Sequence, residues 1–188
     1  AANLPREARA LLIAIAEGES DPAAKAQGIS PYFILVGGGS FETMPDLKGA
    51  NGFPSWGGRR FPTGISHAAG RYQFQPATWK GTVKMFPAGS VPAFRNPGDQ
   101  DWGAWLLAKS DFKTRATVDK ELFDRLRFGS LDEVGSILQP TWTSLSDGTF
   151  PSRYTAALAV LPVVEPVLEP PTPPWSPSPP VPVPTPAP

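Results

Sequence analysis

The chain has 188 residues, 40% of them apolar, and its 17 basic residues balance its 17 acidic ones. It has no cysteine and one histidine, His67, which excludes disulfides, thiol nucleophiles and Cys-based or multi-histidine metal centres. A nucleic-acid groove needs a surplus of Lys and Arg that is missing here, and no apolar run approaches the roughly 20 residues that cross a bilayer.

In chain order, the first element is an apolar helix over residues 4–18, with Pro5 tolerated in its first turn. Its apolar positions crowd nearly every face, so it reads as the most buried helix of a domain rather than as a signal peptide. It delivers two acids, Glu17 and Glu19, followed by Ser20 and a helix-breaking Asp-Pro. "YFILV", residues 32–36, reads as a strand or extended core segment ended by Gly37–Gly39. Residues 42–64, rich in Gly, Pro and Arg, read as a long surface loop of the kind that carries function.

Helical signals then dominate. "QPATWKGTVKMF" places Pro76 at a first helical position. "NPGDQDWGAWLLAKSDF" has Asn96 as N-cap, Pro97 next and Asp99 three residues on. "VDKELFDRLRF" is a short amphipathic helix, and "SLDEVGSILQPTW" repeats the capping device with Ser130 and Glu133. The fold class expected is α+β, mainly helical with a small β element. A domain over residues 1–161 is followed by a proline-rich tail over 162–188, which holds 13 of the 25 prolines. Such a tail favours extended polyproline II, about 80 Å long if fully stretched, and reads as a spacer or a docking segment.

An acid at the C-terminal end of an apolar helix meets the negative end of the helix dipole and a partly desolvated setting. Both favour the protonated form, which suits a general acid. The plain alternative is that both glutamates are solvated residues at a helix end.

The strings "LLIAIAEGES", "YFILVGGGSF" and "AAGRYQFQPATW", then "NPGDQD" and "TWTSL", occur in an order that resembles phage endolysins related to the bacteriophage lambda lysozyme, a lytic transglycosylase. The resemblance spans about 140 residues and implies a lysozyme-like fold. Three departures bear on substrate preference. "FETMPDLKG" lacks a histidine found in the family, His67 stands where Ser or Thr is usual, and the loop 48–64 is longer.

The resemblance implies that Glu19 is the catalytic acid, by the longer helix match and the Glu-Ser pair, with Glu17 as the alternative. It also implies cleavage of the MurNAc–GlcNAc β-1,4 bond with a 1,6-anhydro product. A muramidase would need a second carboxylate, for which Asp21, Glu42 and Asp46 are the candidates. A wall-binding or virion structural module without turnover is the non-enzymatic alternative. Tyr72 and Gln73 are the expected substrate contacts, with Gln100 and Tyr154 after them. A ring face suits sugar C–H surfaces and an amide matches N-acetyl groups. Against this stands the reading of Tyr72 as core and Gln73 as a turn residue. Arg71 reads as a structural ion-pair partner, Trp56 as the exposed aromatic, and Trp79, Trp102, Trp105 and Trp142 as core.

No cofactor and no metal are expected. The partners expected are peptidoglycan glycan strands and an anchor or partner for the tail, with no nucleic acid and no stable membrane insertion, for a monomer. The implied setting is synthesis in the host cytoplasm and action on periplasmic or cell-wall peptidoglycan, with attachment to the virion as the alternative.

Overall fold

The chain is mainly helical, with seven α-helices and one two-stranded antiparallel sheet among the residues described by the computed structural model, 4–45, 47–116 and 121–163. Helix α1 (Arg6–Glu19) buries Ala8, Leu11, Leu12, Ile15 and Ala16 on one broad face. Pro5 sits at its N-cap, where a missing N–H costs nothing. It packs along the last described helix, α7 (Phe150–Val160), and Arg6 donates to the carbonyls of Leu158 and Leu161. Leu161 is the last residue of the expected domain, and the expected tail lies outside the described residues from Val164 onward.

The Asp-Pro pair does not end helical structure. The break is at Ser20 (φ −137°, ψ −33°), and Asp21–Gln27 form α2 with Pro22 in the first turn, where its missing N–H would have no helical partner. Of the two readings of 32–36, a strand or an extended core segment, the second holds for Ile34 and Leu35, which are buried, with Ile34 extended. Pro31–Phe33 make a 3₁₀ turn, and only single bridges follow, Ile34 to Ser40 and Leu35 to Ala69. The reason is the glycine run: Gly37, Gly38 and Gly39 all have positive φ and turn the chain back before a ladder can grow. The 42–64 segment is not wholly a surface loop either. Phe53 is buried, and β1 (Arg59–Phe61) pairs with β2 (Gly64–Ser66), Arg60 opposite Ile65.

The remaining helices follow the sequence signals closely. They are α3 (Pro76–Val83), α4 (Pro97–Arg115), α5 (Leu122–Phe128) and α6 (Leu131–Leu138). Asn96 Oδ1 accepts from the Gly98 amide at 2.9 Å, and Ser130 Oγ from the Glu133 amide at 3.3 Å. Thr143–Ser146 form a 3₁₀ turn between α6 and α7.

An aromatic cluster closes the core beside the loop. The Phe94 ring lies 4.4 Å from Phe53 and 5.0 Å from Trp79, and burying each such ring contributes about 2–3 kcal/mol. Above it the Gln100 side chain, fully buried in the first turn of α4, is saturated. Its Oε1 accepts from the Arg71 amide (3.0 Å) and its Nε2 donates to the carbonyls of Tyr32 (2.9 Å) and Phe94 (2.7 Å). Gln100→Ala strands these three backbone groups and should cost roughly 2–4 kcal/mol, read as a lower urea midpoint at unchanged m.

Candidate active site at the end of α1

Glu19 ends α1 on the face already buried by Leu12, Ile15 and Ala16, so its side chain emerges half-buried. One oxygen, Oε1, accepts from the Ser144 hydroxyl (2.8 Å) and the Ser144 amide (3.2 Å) in the 3₁₀ turn before α7. Glu17, two residues earlier, lies on a different face and is exposed. The neighbouring Gly18 lets the turn approach. A Cβ there would lie 2.6 Å from Ser144 Cβ and 2.9 Å from an Arg153 nitrogen.

A short relay fixes Ser144. Arg153 on α7 donates from Nη2 to the Ser144 carbonyl (2.9 Å) and from Nη1 to Asp147 Oδ2 (2.7 Å). Asp147 Oδ1 accepts from the Thr149 amide and hydroxyl, each at 2.8 Å. The Arg153 hydrogen bond, with those from Thr149, holds the Asp147 carboxyl down at about 2. Ser144 is the serine of "TWTSL", but its meeting with Glu19, 125 residues away, was not readable, and Asp147 and Arg153 did not stand out at all.

The "GRYQ" segment lies next to this acid. Ser20 Oγ donates to the Arg71 carbonyl at 2.6 Å, so the residue after Glu19 is tied directly to it. Arg71 makes a two-pronged ion pair with Asp21 (2.8 and 3.2 Å) and donates to the Tyr32 hydroxyl (3.1 Å), the structural role expected of it. Burial works against its charge, but the Asp21 carboxylate and the two tyrosines outweigh that and hold its pKa above the usual range.

The Tyr72 hydroxyl donates to Asp101 Oδ1 at 2.6 Å, and its ring is buried. Desolvation, then the Asp101 charge, pushes that hydroxyl well above its usual pKa, so it remains a donor. Gln73 is half-buried in the left-handed region (φ +48°) with Nε2 on the Gly70 carbonyl (2.8 Å). A non-glycine residue held there is strained, a feature that clusters at ligand sites.

Gln100 and Tyr154 are corrected as sugar contacts. Gln100 is fully buried with its amide spent on backbone, and Tyr154 is buried with its hydroxyl on the Leu126 carbonyl at 3.1 Å. Burial, then the Glu7 charge, pushes the Tyr154 hydroxyl up to about 12. Trp56 is half-buried against His67, its indole N–H on the His67 carbonyl (3.4 Å). Trp79, Trp105 and Trp142 are core residues, and Trp102 packs against the core partly exposed.

A cleft of about 410 Å³ is lined by the segments 72–75 and 140–142 and not by Glu19. Tyr72, Gln73 and Gln75 form one wall, and Thr141 and Trp142 face it. Trp142, whose indole donates to the Tyr72 carbonyl (3.1 Å), is two residues from Ser144 in sequence. Neither Ser144 nor Ser20, the two residues that flank the carboxylate, lines the cleft. Asp111 and Arg115 on α4 complete the cleft; their i,i+4 spacing was readable, but Thr141 joining them was not.

Among possible second carboxylates, Asp21 is committed to Arg71, Glu42 is exposed, and Asp46 lies outside the described residues. Among the described residues, no group of three His, Asp or Glu is placed to hold a metal, and no helix is long and apolar enough to cross a membrane.

Comparison with protein-family models, with characterised proteins and with solved structures gave no match.

Two outcomes follow from this geometry. Gly18→Ala gains helix propensity but drives a methyl into Ser144. It should lose about 1–3 kcal/mol in urea denaturation. The stabilisation from Asp147 is fully present above its ordinary pKa of 3.8 and is lost as pH falls through about 2, because the native state binds fewer protons in that window. It is a small effect, since the Asp147 side chain is 42% exposed. Wild type and Asp147→Asn should therefore differ in melting temperature at pH 6 and converge toward pH 2.

Proposed function

We propose that this chain is a lysozyme-like peptidoglycan lytic transglycosylase with Glu19 as its acid and base. The observation that carries the reading is a single half-buried carboxylate at the end of the most buried helix. One of its oxygens is fixed by Ser144, and the next residue, Ser20, is bonded to the "GRYQ" segment. The likeness of "LLIAIAEGES" and "AAGRYQFQPATW" to the lambda-type endolysins supports it.

In this reaction Glu19 protonates the oxygen joining N-acetylmuramic acid to N-acetylglucosamine, and the C1–O bond breaks. The resulting carboxylate takes the proton from the muramic C6 hydroxyl as that oxygen bonds to C1. The carboxyl is restored, a 1,6-anhydro ring is left, and no water is consumed. One carboxyl serves twice, so no second one is required. The commitment of Asp21 to Arg71 favours this route over hydrolysis with Asp21 as the partner. The glycan strands of the cell wall are the proposed partner, and the proline-rich tail the proposed tether to an anchor or particle.

The test is release of soluble fragments from purified sacculi by wild type, Glu19→Gln and Glu17→Gln, each checked for an unchanged melting temperature. Glu19→Gln should lose at least about a hundredfold in rate, and Glu17→Gln should stay within a few-fold of wild type. Loss confined to Glu17→Gln would move the acid to that residue. A folded wild type that binds sacculi without cutting them would replace the enzyme with a binding module.

A further inference from the structure

The cleft lined by segments 72–75 and 140–142 holds a polar cluster that the proposed reaction does not use. Arg115, in the last turn of α4, donates from Nη1 to Asp111 Oδ2 (3.3 Å) and to Thr141 Oγ1 (3.1 Å). Thr141 Oγ1 in turn donates to the same Asp111 oxygen. One corner of the guanidinium is thus held by two side chains, one on its own helix and one from the segment leading to Trp142. The Asp111 side chain is the deeper of the two, 18% exposed against 37% for Arg115. Among the described residues, Arg115 Nε and Nη2 have no partner.

A surface arginine that only needed solvent would not require such a mount. Two side chains that line the cleft, Asp111 and Thr141, instead restrict its rotamers, and a pre-oriented guanidinium loses little entropy on binding a planar anion. Neutral donors and acceptors, the amides of Gln73 and Gln75, lie in the same cleft. Gln75 is itself fixed, its Nε2 on Ser66 Oγ (2.8 Å) and its Oε1 on the His67 amide (3.3 Å). A fixed guanidinium with Nε and Nη2 left over, beside the amides of Gln73 and Gln75, fits a polar sugar that carries a carboxylate better than a neutral one, the Asp111 carboxylate in the same cleft being already engaged by Arg115 and Thr141.

We propose that Arg115 is a specificity residue that binds a carboxylate of the wall polymer in this cleft, so that the protein prefers acidic strands to neutral ones. This rests on the glycan-strand reading above. Two sources share the chemistry: the carboxylates of an attached stem peptide, and the lactyl carboxylate of muramic acid bared when the peptide is removed.

The experiment measures both cutting (kcat and KM) and sedimentation binding of wild type, Arg115→Gln and Arg115→Lys. Three substrates are compared: strands with intact stem peptides, strands stripped by an amidase, and intact strands whose carboxyl groups have been converted to methylamides. Arg115→Gln should raise KM and the binding constant about tenfold on the acidic strands with kcat within twofold, as loss of one charge-assisted contact implies. Arg115→Lys should fall between. On the methylamidated strands the three proteins should coincide.

The penalty appearing only with intact stems assigns the peptide carboxylates; only on stripped strands, the lactyl group. An equal penalty on methylamidated strands, or none on any strand, overturns the proposal. Wild type that binds acidic strands through Arg115 without cutting would overturn the enzymatic reading and leave this one standing.

Discussion

The buried carboxylate of Asp101 is the constraint from which the site is built. It is 3% exposed on α4, and it accepts the hydroxyls of Tyr72 at 2.6 Å and Tyr32 at 2.9 Å. A charge so placed is tolerable only when its lone pairs are filled, and two tyrosines held as donors by burial do that. Tyr32 passes the connection to Arg71, and Arg71 to Asp21 at the start of α2. One anion thereby fixes the loop after β2, the 3₁₀ turn at Pro31–Phe33 and the break between α1 and α2. Gln100, the neighbour of Asp101, completes the arrangement by holding the Arg71 amide.

The other half of the site rests on α7. Its packing along α1 brings the Thr143–Ser146 turn against Gly18, where the absence of a side chain lets Ser144 reach Glu19. Arg153 and Asp147 then hold that turn from behind. The two halves meet where Trp142 donates to the Tyr72 carbonyl, so the acid, the cleft wall and the "GRYQ" segment move as one packed unit. Such packing is what the proposed acid would need, because a misplacement of about 1 Å can cost two orders of magnitude in rate.

Much of this was legible in the sequence where the determinants are local. The caps Asn96 and Ser130 announced α4 and α6, and the apolar crowding of residues 10–16 announced the buried α1. Where geometry depends on distant partners, the sequence misled. Gln100 and Tyr154 carry groups that suit sugars, but backbone acceptors far along the chain consume them inside the core. Ser144 and Thr141 stand in the "TWTSL" string, yet nothing local told that they meet Glu19 and the Asp111–Arg115 pair, and Arg153 gave no signal, because each contact joins segments that only the packed helices bring together.

The central claim is that strand cleavage proceeds through one carboxyl and the substrate's own hydroxyl, without water. The most direct test is to digest purified peptidoglycan in heavy-oxygen water and weigh the muropeptides released. The account predicts anhydro-muropeptides carrying no heavy oxygen. Products one water heavier, with the label at a reducing end, would contradict it and require a second carboxylate or a water-activating group at this site.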